Sequence, residues 1–302
     1  MPVFTVPIHE HGNLGDKDYP HPLGRGSGKW AEGRTRITAS RRATKGDMRA
    51  ATDAERKKLA IPPAYKDAMV ATDPKAELRA TAITPAGKTA SYYSKAYLAR
   101  QEAAKWSRVM ALEREMPGLW KKIQKSNAPE AMTLRLILLT GLRNGGEGKG
   151  LKEAFGASNL KMSHVTVDGD TVRLQFPGKH GIAQDHAVTD AKLAAYVRTR
   201  EKAGAETLFD HDDDATLDTL KGMTGDRFKV HDLRTWHATV LADRLVQTAL
   251  NNGLKPKTLK EFKALRKQVA THVSKTLGNT PAMALNTYIH KSVFDPLEVG
   301  KS

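Results

Sequence analysis

The sequence predicts an α+β chain: a small β-rich N-terminal part, then a larger, mainly α-helical part that carries a β-hairpin. Three observations point there. Between residues 68 and 94, three short runs (68–72, 78–84 and 89–94) are separated by turn signals at Asp73-Pro74 and Pro85-Ala86-Gly87, the pattern of a small antiparallel sheet. From Asn127 onward, apolar residues recur at helical spacing in successive blocks. Within that helical part, residues 171–176 alternate, with Val172, Leu174 and Phe176 on one face and Arg173 and Gln175 on the other, which is the period of a half-buried strand.

Composition narrows the function. The 302 residues are 39% hydrophobic and hold 49 Lys and Arg against 33 Asp and Glu, a formal charge of +16. That suits one large or two modest domains with real cores, and a surplus of this size points to a polyanionic partner, of which nucleic acid is the commonest. The absence of cysteine removes disulfides and thiolate metal sites and fits a reducing compartment. No apolar run reaches the roughly 18 residues of a membrane span, and no secretory apolar region opens the chain. A soluble, cytoplasmic protein is expected, associated with the nucleoid if the host is bacterial.

Three segments follow in order. Residues 1–50 read as a basic, poorly ordered arm, rich in Gly, Pro, His and Arg, with Gly24-Arg25-Gly26-Ser27-Gly28-Lys29 ahead of Arg34, Arg36, Arg41, Arg42 and Lys45. Such an arm either tracks phosphates or is simply solvated. His9-Glu10-His11 is too short a cluster in such a setting to argue for a metal. Residues 51–125 hold a helix end and extended turn at Leu59-Ala60-Ile61-Pro62-Pro63-Ala64-Tyr65, then the sheet. A helix over about 95–115 follows, with Trp106, Val109, Met110 and Leu112 as its apolar side, broken at Met116-Pro117-Gly118.

Residues 126–302 carry the chemistry. Pro129 and Glu130 open a helix so apolar (Met132, Leu134, Leu136, Ile137, Leu138, Leu139) that it is buried on most sides. It runs out at Thr140-Gly141-Leu142-Arg143, where a buried helix end can fix a guanidinium in place. The glycines that follow lack the Lys-Ser/Thr ending of a P-loop, so an ATPase reading is poor. The hairpin turns at Pro177-Gly178-Lys179-His180-Gly181, which puts Lys179 at its tip, as a solvated charge or a functional one. Asp190 caps the next helix. The run His211-Asp212-Asp213-Asp214 reads as a surface loop rather than a cation site. A further helix starts near Asp232, its expected N-cap, with Arg234 in the first turn; a cation there opposes the helix dipole and needs an anionic partner, either a structural carboxylate or a bound phosphate. Near the C-terminus Gly278 closes one helix, Thr280 and Pro281 open another, and Tyr288 sits about two turns in. A phenol is a poor nucleophile at neutral pH and attacks phosphorus only where cations converge on it.

Taken together, four motifs resemble the type IB DNA topoisomerases, above all the short poxvirus-like and bacterial enzymes. They are Arg143 with Gly145 and Glu147, Lys179 in Phe-Pro-Gly-Lys-His-Gly, Arg234 in Asp-Leu-Arg-Thr-Trp-His, and Tyr288 after Gly-Asn-Thr-Pro. Ile61-Pro62-Pro63-Ala64-Tyr65 and the strands after it resemble the N-terminal domain of that family. The resemblance spans roughly residues 55–298 and implies the fold of DNA breaking-rejoining enzymes, with a DNA-clamping domain and a catalytic domain acting as a monomer on double-stranded DNA. It implies Tyr288 as nucleophile forming a 3′-phosphotyrosyl link, Arg143 and Arg234 as the transition-state clamp and Lys179 as general acid. With three cations supplying charge, it implies neither ATP nor metal nor any other cofactor. Asn279 stands where poxviral and eukaryotic relatives have histidine, as a donor to a phosphate oxygen. Tyr93, the one tyrosine kept from a Gln-Tyr-x-Tyr pattern, is a candidate DNA contact together with Lys149 and His237. The alternative is a tyrosine site-specific recombinase, whose boxes Thr140-Gly141-Leu142-Arg143 and His231-x-x-Arg234 also fit. A DNA-binding module that has lost catalysis is disfavoured by the presence of all four catalytic candidates.

Overall fold

The computed structural model describes residues 29–31, 41–145 and 154–299. Helices and two small antiparallel sheets make it α+β. Contacts divide the chain into two units, whose described parts are 41–107 and 29–31 with 108–299.

In the smaller unit, strands β1 (Met48–Ala50), β2 (Lys66–Ala71), β3 (Leu78–Ile83) and β4 (Thr89–Tyr93) pair in sequence order. Alternation along β3 turns Leu78, Ala80 and Ala82 inward. There the two alanines pack with Ile61, Ala68 and Val70 under partly buried Leu59, Tyr65 and Tyr92. Between β1 and β2, helix α1 (Asp53–Lys58) opens on a capping box between Thr52 and Glu55. One carboxylate ties this unit together. Glu77 accepts from Thr44 N (3.0 Å) and from Arg41 (2.9 and 3.1 Å), and pairs with Arg100 at 2.7 Å. Its pKa is held below the ordinary carboxylate value, first by the Thr44 N–H and then by Arg100. Residues 41–50 are therefore not a loose arm here: they supply the edge strand and part of this clamp. Trp30 is also packed, 2% exposed, with its carbonyl accepting from Ser292 Oγ. The His9-Glu10-His11 cluster and the Gly24–Gly28 run lie outside the described residues.

Helix α2 (Lys95–Lys125) is continuous through Pro117, against the expected break. Its apolar stripe goes on through Met116, Leu119, Trp120 and Ile123, all buried, so tertiary burial offsets the lost backbone hydrogen bond. Helix α3 (Pro129–Thr140) is the centre of the larger unit, buried at every position from Ala131 on. Its one cation, Arg135, pairs with Asp190 at 2.9 and 2.5 Å and lies over the Trp120 ring. Asp190 also accepts from Leu193 N as the N-cap of α4 (Ala191–Lys202), as expected.

The hairpin is part of a three-stranded sheet, β5 (Val165–Asp168), β6 (Thr171–Pro177) and β7 (Ala183–Thr189), with β6 in the middle. Four-residue β5 is too short and too polar to stand out in the sequence. The expected β6 faces are the observed ones. The acidic run opens α5 (Asp213–Thr224): Asp212 is its N-cap and Asp213 and Asp214 face the helix dipole. Among the described residues no group of three His, Cys, Asp or Glu is disposed to hold a metal. Helix α6 (Val230–Asn251) starts three residues earlier than expected: Lys229 is the N-cap, and Asp232, at N3, accepts from Lys229 N and forms a bidentate pair with Arg108 of α2. Helix α7 (Leu259–Leu277) ends at Gly278, and Thr280 and Pro281 open the short α8 (Pro281–Met283) as anticipated. No helix among the described residues is long and apolar enough to cross a membrane.

Candidate active site

Arg143 reaches its position because α3 ends abruptly. Gly141, at φ +70°, caps the helix in the left-handed region and its N–H returns to Ile137 O. The loop beyond is braced from two directions. Arg143 O and Asn144 O accept from Ala157 N and Ser158 N, both at 2.8 Å, and Gly145 packs on the Asp213 carboxylate, which also accepts from Ser158 Oγ. Gly156 permits the close approach: a Cβ there would lie 2.6 Å from Asn144 O. Glu147 and Lys149 of the sequence motif fall in 146–153, outside the described residues.

Arg234 is 2% exposed. Within the protein its partners are main-chain carbonyls rather than a carboxylate. One guanidinium nitrogen donates to Gly141 O at 2.5 Å and another to Leu277 O at 2.6 Å. These carbonyls belong to the C-terminal ends of α3 and α7, where the helix dipoles concentrate negative potential, so two helix ends seat one cation. Burial draws its pKa down to about 10, opposed by the Tyr288 phenol and assisted by Arg143; it remains a cation at neutral pH.

Lys179 sits in a one-turn 3-10 helix (Lys179–Gly181) at the tip between β6 and β7. It is exposed, and among the described residues it has no carboxylate partner. Arg143, Lys179 and Arg234 line a single cleft, with Leu277 and Gly278 at its edge. A second cleft shares Leu142, Arg143 and Arg234 and adds Asn144, Asp213 and His231. Tyr288 closes a π-helical turn, Ala284–Tyr288, a distortion that recurs at functional sites. Its ring lies 5.2 Å from the Arg234 guanidinium carbon and 5.5 Å from the His231 ring. Its carbonyl accepts from Thr239 Oγ1, and the residue is 3% exposed. Asn279, directly after Gly278, carries an amide whose nitrogen and oxygen are both buried and meet no partner among the described residues. An unsatisfied buried amide beside a cationic cleft is an open seat for a ligand oxygen.

Two of the expected DNA contacts separate. Tyr93 is 37% exposed, its ring 4.8 Å from that of Tyr97, which in turn lies under Arg100. His237 is 1% exposed, which excludes contact with DNA in this conformation. Its Nδ1–H donates to Leu138 O, and its ring fills the space beside Gly141. It braces the end of α3, and burial pushes its pKa down to about 4.

Sequence reasoning missed Gln184 and His186. The His186 ring stacks on Phe176 and its Nε2–H donates to Gln184 Oε1 at 3.3 Å; burial and the field of Arg234 lower its pKa to about 4. Gln184 lines the cleft and packs against Gly278. The signal was available: period-two alternation puts both polar residues on the inward face of β7, with buried Val188.

An α+β fold, a buried tyrosine packed on an arginine and a cleft of three cations suit a protein that acts on phosphodiesters. Residues 98–294 match the family described as eukaryotic DNA topoisomerase I, catalytic core. Over 259 residues the chain is 25% identical to the DNA topoisomerase 1B of Acanthamoeba polyphaga mimivirus, covering 77% of this chain and 76% of that protein. The chain belongs to this family, the type IB DNA topoisomerases.

Proposed function

We propose that this type IB topoisomerase relaxes supercoiled duplex DNA, independently of ATP and metal, by the following chemistry. Tyr288 Oη attacks a backbone phosphorus, forming a 3′-phosphotyrosyl bond and breaking the bond to the 5′-oxygen. The phenolic proton passes to water or to His231, and the departing 5′-oxygen takes a proton from Lys179. Arg143 and Arg234, as planar forks that stay charged, stabilise the pentacoordinate phosphorus, and the Asn279 amide donates to one of its oxygens. The cut strand rotates, and the 5′-hydroxyl reverses the attack. The observation that carries this reading is the lining of one cleft by Arg143, Lys179 and Arg234, with Tyr288 packed on Arg234. The two clefts meet at Arg143 and Arg234, with Lys179 in one and His231, the neighbour of Tyr288, in the other. In-line displacement needs nucleophile and leaving group on opposite sides of phosphorus, and this disposition suits it.

The helical unit then carries catalysis, and the sheet unit adds duplex contacts through Tyr93, the protein working as a monomer. The test is relaxation of plasmid in EDTA without ATP. Wild type is expected to relax both signs of supercoil, while Tyr288→Phe relaxes neither and forms no covalent adduct. Failure of the wild type across a range of salt would overturn the reading.

A further inference from the structure

Helix α7 has a face that the chemistry above does not use. Leu265, Val269, Val273 and Leu277 are buried at four-residue spacing, while Lys260, Lys263, Lys267 and Lys275 are exposed. At 3.6 residues per turn the four lysines share a sector of roughly 120°, opposite the buried stripe, and span about 22 Å. The last of them lies two residues before Leu277, which lines the cleft with Arg143, Lys179 and Arg234. The loop ahead of α7 adds exposed Lys255 and Lys257.

From Leu254 to Leu277 the chain holds seven Lys and Arg and a single carboxylate, Glu261. That carboxylate accepts from Lys257 N and Thr258 N at the head of the helix. Among the described residues no carboxylate pairs with Lys260, Lys263, Lys267 or Lys275. Arg266, by contrast, packs over Phe262 and Phe294. Like charges three and four residues apart weaken a helix by a few tenths of a kcal/mol per pair; a polyanion on this face reverses the sign.

We propose that the lysine stripe of α7 is a phosphate track for the flank of the same duplex whose scissile phosphate occupies the cleft. At 3.4 Å per base pair, 22 Å corresponds to about six base pairs. The duplex is stiff on this scale, and the helix that carries the stripe ends at the cleft, with Leu277 and Gly278 in the lining, which favours one duplex over a second one. The contacts are to phosphates alone, so the track adds affinity and no sequence preference. The inference rests on the DNA-acting reading above.

The test uses the Tyr288→Phe protein, so that binding is read without cleavage, with and without Lys260→Gln/Lys263→Gln/Lys267→Gln. Losing three phosphate contacts is expected to lower the slope of log K against log salt by about 2.7, so affinity falls roughly 40-fold less steeply between 50 and 200 mM salt. The deficit is expected with duplexes extending at least eight base pairs to each side of the cleavage site, and to vanish when both flanks are trimmed to three. Lys121→Gln/Lys125→Gln/Lys202→Gln removes the same charge from other exposed positions and is expected to leave the slope close to wild type. An unchanged slope, an equal effect of the control triple, or a deficit independent of flank length would overturn the track, the last pointing to a second duplex. If the Tyr288→Phe protein bound no duplex at any salt, the DNA reading itself would fall.

Discussion

Gly278→Ala probes the join between the Lys179 turn and the segment that carries Asn279 and Tyr288. Gly278 has φ +59° and ψ +48°, and a Cβ there would lie 2.0 Å from Gln184 Nε2 and 2.5 Å from Oε1. Gln184 stands on β7, just beyond the Lys179 turn, and its amide donates to Ile182 O at 3.3 Å and Ala183 O at 3.2 Å while accepting from His186. Alanine therefore has two costs. The left-handed conformation costs about 1 kcal/mol once a Cβ is present. Displacing the amide forfeits hydrogen bonds worth about 1 kcal/mol more, the side chain being partly solvated. The sum is about 2 kcal/mol in urea unfolding. In a Gln184→Ala background only the conformational part remains, so the double-mutant cycle is expected to give a coupling of about 1 kcal/mol. Single-turnover cleavage by Gly278→Ala is expected to slow at least tenfold, and to slow less on DNA with a 5′-bridging sulfur, whose thiolate leaves without a proton. An equal cost of Gly278→Ala in both backgrounds would refute the packing argument, and an equal slowing on both substrates would refute the link to Lys179.

Three further outcomes are expected. Asn279→Ala removes an amide with no partner among the described residues, so stability should hold or rise while cleavage slows about tenfold, the worth of one hydrogen bond to a charged oxygen; equal cleavage rates would leave Asn279 without a role. Arg135→Ala strands the buried Asp190 carboxylate and should cost about 3–5 kcal/mol, read as a melting temperature lower by about 6–20 °C; a change under 3 °C would contradict the pair's burial. His237 has its folded-state pKa depressed to about 4, below the ordinary 6.5, so the unfolded chain binds its proton first as pH falls. Its stabilising contribution is complete above about pH 6.5 and is lost on acidification toward pH 4, with a slope of up to about 1.4 kcal/mol per pH unit. Urea midpoints from pH 7 to 4.5 should therefore fall less steeply in His237→Gln, and equal slopes would refute the assignment.

What the sequence reveals about this site follows from what leaves a side-chain mark. The cap at Asp190, the Thr280-Pro281 start and the faces of β6 are local, decided by the residues themselves, and they read true. Pro117 misleads because the burial that carries α2 through it comes from other elements, and Asp232 misleads because its partner, Arg108, lies 124 residues away. Arg234 is the instructive case. Its position in a buried first turn signalled a need for negative charge, and the need is met by Gly141 O and Leu277 O, main-chain atoms that every residue type possesses. No side chain advertises such a seat. What does show is the pair of glycines that end the two helices, Gly141 at φ +70° and Gly278 at φ +59°, since only a residue without a Cβ turns the chain there cheaply. Each is hemmed in as well as turned, by His237 at Gly141 and Gln184 at Gly278. The seat of the buried arginine is thus written in the sequence as two helix stops, which become a binding site only when folding brings the two helix ends together around one guanidinium.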